Sequence, residues 1–284
     1  MHQTFQYIKF LLKSTNQHGV HSPFVYNLVT KCFYDRTAYK DYKTITKYRK
    51  KLLKNNTKIL VTDLGAGSQI MKHQERSISQ MSKHAGTTLK RAKLLYRLNR
   101  YFKFEHILEL GTSLGIATHA LSLGYPESYI ETIEGCPTVS KFTMQQFKNQ
   151  KIENISFIVD EFNDYLKSKI QNPKPTKVRL SAVEAQQTTN NKQLTTNRKP
   201  TYDLIFFDGN HQKEATLHYF ESLLETIHND SVFIFDDIYW SNGMTEAWKT
   251  IKQHPKVTVT IDTFYWGFVF FRKEQAKEHF TIRV

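Results

Sequence analysis

Two acids flank a short glycine-bearing segment. Glu109 precedes Gly111-Thr112-Ser113-Leu114-Gly115, and Glu134 ends the next apolar run, Tyr129-Ile130-Glu131-Thr132-Ile133. Glycine at a strand-to-helix turn lets a ligand approach the backbone, and an ionised carboxylate at the following strand end accepts hydrogen bonds from both hydroxyls of a ribose. The pair points to a cofactor containing a nucleoside. A dinucleotide needs a second glycine where the chain meets the pyrophosphate, and that position is Ser113. Further along, two apolar runs end in Asp208-Gly209-Asn210-His211 and Asp236-Asp237. Carboxylates gathered at adjacent strand ends repel one another unless a cation neutralises them, and a hard divalent ion with oxygen ligands does so. An imidazole with its ordinary pKa of about 6.5 can take a proton beside them.

Placing these groups together requires strands that end at one edge. From His106 onward, short β-branched runs alternate with helical segments, which predicts βαβ units and a largely parallel sheet. Strands are expected at 106–110, 129–134, 155–159, 202–207, 231–235, 257–263 and 267–272, the last two as an antiparallel pair closing the sheet. The third ends at Asp160-Glu161, either of which is also a candidate helix cap. Short helices are expected before residue 58, one of them starting at Ser22-Pro23, and a basic amphipathic helix follows a cap at Thr87 or Thr88. Residues 168–201, rich in Gln, Asn, Thr, Lys and Pro, read as a mobile surface insertion without chemistry.

The pattern E-x-G-x-x-x-G at Glu109, Gly111 and Gly115 resembles the first motif of class I S-adenosylmethionine-dependent methyltransferases. With D-G-x-H at Asp208 to His211 and the pair Asp236-Asp237, roughly residues 83–284 resemble the macrocin O-methyltransferase-like small-molecule O-methyltransferases. The resemblance implies a Rossmann-like α/β fold with a seven-stranded, mostly parallel sheet, an antiparallel last strand and a helical N-terminal extension over residues 1–82. It implies that S-adenosylmethionine is bound by Glu109, Gly111, Thr112, Ser113, Gly115 and Glu134, with Asp160 or Glu161 near the adenine and Asp208 nearby. It further implies Mg2+ on Asp208, Asp236 and Asp237, and His211 with Asp208 as the catalytic groups. The expected reaction is methyl transfer to a hydroxyl of a small-molecule acceptor.

Charge supplies a rival reading. The chain has 284 residues and a formal net charge of +14. Residues 1–100 hold 20 Lys and Arg against 4 Asp and Glu, while the remainder hold 20 against 22. Such a segregated basic region attracts nucleic acid, anionic lipid or an acidic substrate. Residues 77–92 loosely resemble a helix-turn-helix with Gly86 at the turn, so an RNA methyltransferase is the alternative. Against it, the fourth strand ends in Asp208-Gly209-Asn210-His211 and not in the N-P-P-Y type suited to base amino groups, and neither Cys32 nor Cys136 lies in a Pro-Cys context. Neither cysteine fits a zinc or disulfide pattern. The short, Lys9-interrupted N-terminal apolar run fits no secretory signal, and no run is long enough to span a membrane. A cytoplasmic protein is expected, with homodimerisation left open. A second glycine cluster, Asp63-Leu64-Gly65-Ala66-Gly67-Ser68, lacks the following strand and acid and reads as a decoy turn. His18-Gly19-Val20-His21-Ser22-Pro23-Phe24 is expected to pack helices, with a lid over the site as the alternative.

Overall fold

Alternation within the strands explains the architecture of the computed structural model, which describes residues 2–62, 74–150, 152–171, 176–177, 195–196 and 199–284. The strands Leu204–Phe207 (β8) and Val232–Asp236 (β9) are buried along their whole length. Successive side chains leave opposite faces of a strand, so Leu204, Phe206, Val232 and Ile234 enter one core while Ile205, Phe207, Phe233 and Phe235 enter another. A sheet apolar on both faces must be covered by helices on both faces.

Before the main sheet, Lys58–Leu60 (β1) and Glu75–Ser77 (β2) form a small antiparallel pair. The main sheet begins with His106–Leu110 (β3), Tyr129–Glu134 (β4) and Ile155–Val159 (β5), which pair in parallel with one another, and β3 pairs in parallel with β8. Thr176–Lys177 (β6) and Thr195–Thr196 (β7) form a separate antiparallel pair within the expected insertion. β9 continues the parallel set beside β8, and Val259–Asp262 (β10), Trp266–Phe270 (β11) and Glu278–Thr281 (β12) complete the sheet. Its order is β12-β10-β11-β9-β8-β3-β4-β5, with β11 antiparallel to both neighbours.

The sheet thus has eight strands where the sequence pattern predicts seven. The additional strand, β12, is an edge strand with two exposed residues and a single buried phenylalanine, Phe280, so it lacks the apolar run that marks the others. The fourth strand starts at Leu204 and not at Tyr202. Asp203 instead turns its carboxylate onto the backbone N–H groups of Glu105 and His106 at 2.7 and 2.8 Å.

The helices are His2–Lys13 (α1), Pro23–Leu28 (α2), Asp41–Leu53 (α3), Ile78–His84 (α4), Leu89–Phe102 (α5), Ile116–Gly124 (α6), Pro137–Lys148 (α7), Phe162–Leu166 (α8), Lys213–Leu223 (α9) and Asn242–Gln253 (α10). Their starts follow local chemistry. Ser22 caps α2 with Pro23 at its first position, and Thr88 caps α5 by accepting from the Arg91 N–H. Val25, Leu28, Ile45 and Leu95 join Ile107, Phe206 and Phe268 in one core, so the N-terminal helices share the sheet's first face. Burial at this scale, at roughly 25 cal/mol per Å² of apolar surface, holds them there. Among the described residues no helix is long and apolar enough to cross a membrane.

Candidate active site

The turn after β3 is shaped by backbone that glycine favours. Gly111 has φ of 111° and Gly115 of 69°, and Ser113 between them also has positive φ, at 46°. A Cβ on Gly111 would run into the carbonyl of Asp208, so this turn lies directly against the end of β8. Two bonds from Glu134 lock it in place: one carboxylate oxygen accepts from the Ser113 N–H and the other from the Cys136 N–H, both at 2.9 Å. A carboxylate has about four acceptor sites and can bridge both hydroxyls of a ribose.

Glu109 is fully buried beneath the turn. Its Oε2 accepts from Thr118 at 2.5 Å and Thr132 at 2.6 Å, and Thr132 meets Thr112 at 2.6 Å. Burial raises its pKa to about 7 although both threonines pull it down. Its other oxygen, Oε1, has no hydrogen-bond partner. A buried orphan acceptor is costly, and here it lies beneath the glycine turn. The acids and the turn's positive-φ backbone fit a cofactor with a nucleoside and an amino-acid portion, such as S-adenosylmethionine.

Across the Gly111 turn, β8 and β9 deliver the other acids. Asp208, His211 and Asp236 each offer a ligand atom, all within 4.8 Å of one another. Asp237 lies outside that group, in left-handed backbone at φ 53°. The even-numbered acids share a face with Phe206 and Ile234, the face covered by the N-terminal helices, and there α5 supplies a cation. Arg91 Nη1 bonds Asp236 Oδ1 at 2.8 Å. The Arg91 guanidinium lies 5.4 Å from the Tyr265 ring centroid and 6.0 Å from that of Trp266.

These groups govern one another's protonation. Burial raises the pKa of Asp208, and Asp236 raises it further. Burial and Asp236 likewise push Asp237 up to about 7. Burial lowers the pKa of His211 and leaves its imidazole neutral. Burial opposes the charge of Arg91, but Asp236, Asp237 and Asp208 together hold it on. Two carboxylate oxygens and an imidazole nitrogen are a donor set that fits a divalent cation. Arg91 already supplies one positive charge to the same cluster.

Arg91 went unread in the sequence because it stood in a run of cations on an amphipathic helix. All five basic residues of α5 are engaged within the chain: Lys90 with the Val284 carbonyl, Arg91 with Asp236, Lys93 over Tyr42, Arg97 with the Cys32 and Phe33 carbonyls, and Arg100 over Tyr39. α4 and α5 flank a turn at Gly86, and Arg91 and Arg97 of α5 turn inward, while Lys83, Lys90 and Arg100 stay exposed.

At the end of β5, Asp160 accepts from the Glu161 N–H, while Glu161 is exposed at the start of α8 and makes no capping bond. Neither is drawn into the acid cluster. His18 and His21 are exposed, Ser22 bonds Gln275, and Phe24 packs on Phe270. Phe270 pairs with Val232 at the opposite end of β9 from Asp236, so this segment packs helices and is no lid. The cluster at Asp63 to Ser68 lies outside the described residues.

Comparison with known proteins agrees with the geometry. Residues 108–238 match a family described as a methyltransferase domain. No curated protein matches the chain. Among solved structures, the fold is similar to the SAH-bound methyltransferase PaMTH1 of Podospora anserina, at 12% identity and a TM-score of 0.56, covering 89% of this chain and 97% of that one. It is also similar to the O-methyltransferase TomG of Streptomyces achromogenes, involved in tomaymycin synthesis and solved in complex with SAM. There the identity is 16% and the TM-score 0.50, over 66% of this chain and 82% of that one. The matched family spans β3 to β9, and so both the glycine turn and the acid cluster; the chain carries a methyltransferase domain on a fold shared with SAM- and SAH-bound methyltransferases.

Proposed function

We propose that this enzyme transfers the methyl group of S-adenosylmethionine to a hydroxyl oxygen of a small molecule, as small-molecule O-methyltransferases of the macrocin type do. The observation that carries this reading is the convergence of Asp208, His211 and Asp236 within 4.8 Å at strand ends that abut the Gly111 turn. The cofactor supplies an electrophilic methyl on a sulfonium, so the protein's task is to hold the acceptor oxygen in line and take its proton.

His211 suits the second role. Burial keeps its ring neutral and able to accept a proton, and Asp236 favours the imidazolium once formed. Asp208 and Asp236 orient the acceptor hydroxyl, and Arg91 fixes Asp236 through their ion pair. A divalent cation held by Asp208 and Asp236 would bind the same hydroxyl and lower its pKa. Glu134 holds the ribose, and Glu109 and Gly111 to Gly115 receive the rest of the cofactor.

The test is methyl transfer to a panel of hydroxylated acceptors, with S-adenosylmethionine binding followed by calorimetry. His211→Ala should lose on the order of 100-fold or more in turnover while cofactor affinity stays within about twofold. Unchanged turnover removes His211 as the base. Activity that survives chelation assigns the electrostatic role to Arg91 alone.

A further inference from the structure

The N-terminal helix is apolar on the side it turns away from the protein. The inner face of α1 is anchored: Phe10 is buried, Tyr7 and Phe10 pack on Phe264 at 4.8 and 5.6 Å between ring centroids, and His2 meets Thr245 at 3.0 Å. The helix ends where Thr15 bridges to the C-terminal strand, its N–H donating to the Thr281 carbonyl at 2.9 Å. On the outer face Phe5, Ile8 and Leu12 recur at helical spacing, and Leu11 lies beside them. Their exposures are 56%, 53%, 82% and 38%. A soluble surface rarely devotes consecutive helical turns to large apolar side chains.

Cations frame this stripe. Lys9 and Lys13 are exposed on the same helix, and the Lys9 ammonium sits 4.2 Å from the Phe5 ring centroid. On α10, Lys249 is exposed and Lys252 lies over the Trp248 ring. Burial lowers the pKa of Lys252, and Lys13 and Lys249 lower it further, so the two helices bring their lysines into one field. Asp262, which faces Lys252, is the acid that offsets them there.

From this combination of an anchored helix, an outward apolar stripe and a lysine rim, we propose that α1 docks the enzyme onto an anionic lipid bilayer. Large apolar side chains enter the boundary between headgroups and acyl chains, and flanking lysines are drawn to acidic headgroups. A second copy of the chain fits less well, because a two-fold contact through the stripe would set Lys9, Lys13 and their neighbours against their own images. Phe264 links α1 to the reaction side: it stacks on Tyr239 and meets Tyr265, whose ring lies under Arg91. An acceptor carried by lipid would reach the acid cluster along this aromatic path, with α1 between the bilayer and the reaction side. That last step rests on the proposed methyl transfer, whereas the docking itself is read without any turnover.

The experiment is sedimentation of the full chain with vesicles of phosphatidylcholine, with and without phosphatidylserine, alongside light scattering of the protein alone. The native chain should sediment with the phosphatidylserine vesicles and be released by salt. Ile8→Glu with Leu12→Glu should weaken binding at least about tenfold and leave the thermal melt and cofactor binding unchanged, because both side chains are exposed. Lys9→Gln and Lys13→Gln should each cost about fivefold. Vesicle binding that the glutamate pair leaves intact overturns the proposal, as does failure to sediment. A native dimer that the pair converts to monomer also overturns it and assigns the stripe to self-association.

Discussion

Around Glu109 and Glu134, the hydrogen bonds close over short stretches of chain: Glu109 to Thr118 across 9 positions, Ser113 to Glu134 across 21 and Thr132 to Glu109 across 23. Around Asp236 the defining bond comes from Arg91, 145 positions away. The acids beside the glycine turn are thus bonded within one βαβ unit, although Tyr48 of α3 also bonds the Leu114 carbonyl of that turn, and the reaction side is assembled from an N-terminal helix and two later strands. The first keeps its acids in place through bonds within the unit itself. The second depends on α5 docking correctly, and its charges are balanced only when all of its parts are present.

The largest test of that contrast is Asp236→Ala. It removes the ion-pair partner of the half-buried Arg91 and leaves only Asp208 and Asp237 to face the guanidinium, a loss of up to about 3–5 kcal/mol. Urea unfolding should show that loss, while Glu134→Ala, which removes a carboxylate from the cofactor side, should cost far less stability. Equal losses would erase the distinction.

A pH effect comes next, and it belongs to the cofactor side. His119 on α6 is fully buried against Tyr48 and Phe147, both its ring nitrogens lack partners, and burial lowers its pKa to about 4. Above about pH 6.5 it is neutral folded and unfolded and contributes no pH dependence. As pH falls from there towards 4, only the unfolded chain takes the proton, and stability declines by up to about 3 kcal/mol. His119→Phe should flatten this limb in denaturant titrations between pH 4 and about 7.

Glu134→Ala should then weaken S-adenosylmethionine binding by about 10- to 100-fold, as expected for lost hydrogen bonds to a charged group. Calorimetry measures it, and an unchanged affinity would detach Glu134 from the ribose. The smallest expected effect sharpens the role of the fixed cation: Arg91→Ala removes a positive charge from the acid cluster and should raise Mn2+ affinity about tenfold. No change would mean that Arg91 and a metal do not compete for Asp236.

What could be read in advance follows the same divide. Glu109, Gly111, Gly115 and Glu134 lie within one strand-turn-helix-strand stretch, so residue type and spacing suffice to pair them. Asp208 and Asp236 were recognisable as strand-end acids, because each terminates an unbroken apolar run. Asp237, adjacent in sequence and identical in type, stands outside the cluster, one step along the alternation from Asp236 and in left-handed backbone. The edge strand β12 escaped notice because one buried phenylalanine makes no pattern. The basic N-terminal third reads as one charged surface, since charge counts do not tell that Arg91 and Arg97 turn inward while Lys43, Lys47 and Lys50 stay exposed.

Sequence alone determined the parallel sheet, the glycine turn and its acid, and the acids that end β8 and β9, because periodicity and backbone preference act over a few residues. Tertiary structure alone decided that Arg91 is the cation facing those acids, that Asp237 stands apart from them, and that α1 turns its apolar stripe outward. Each of those depends on which face of an element meets which neighbour, and that is settled by packing two cores at once rather than by any local stretch of chain.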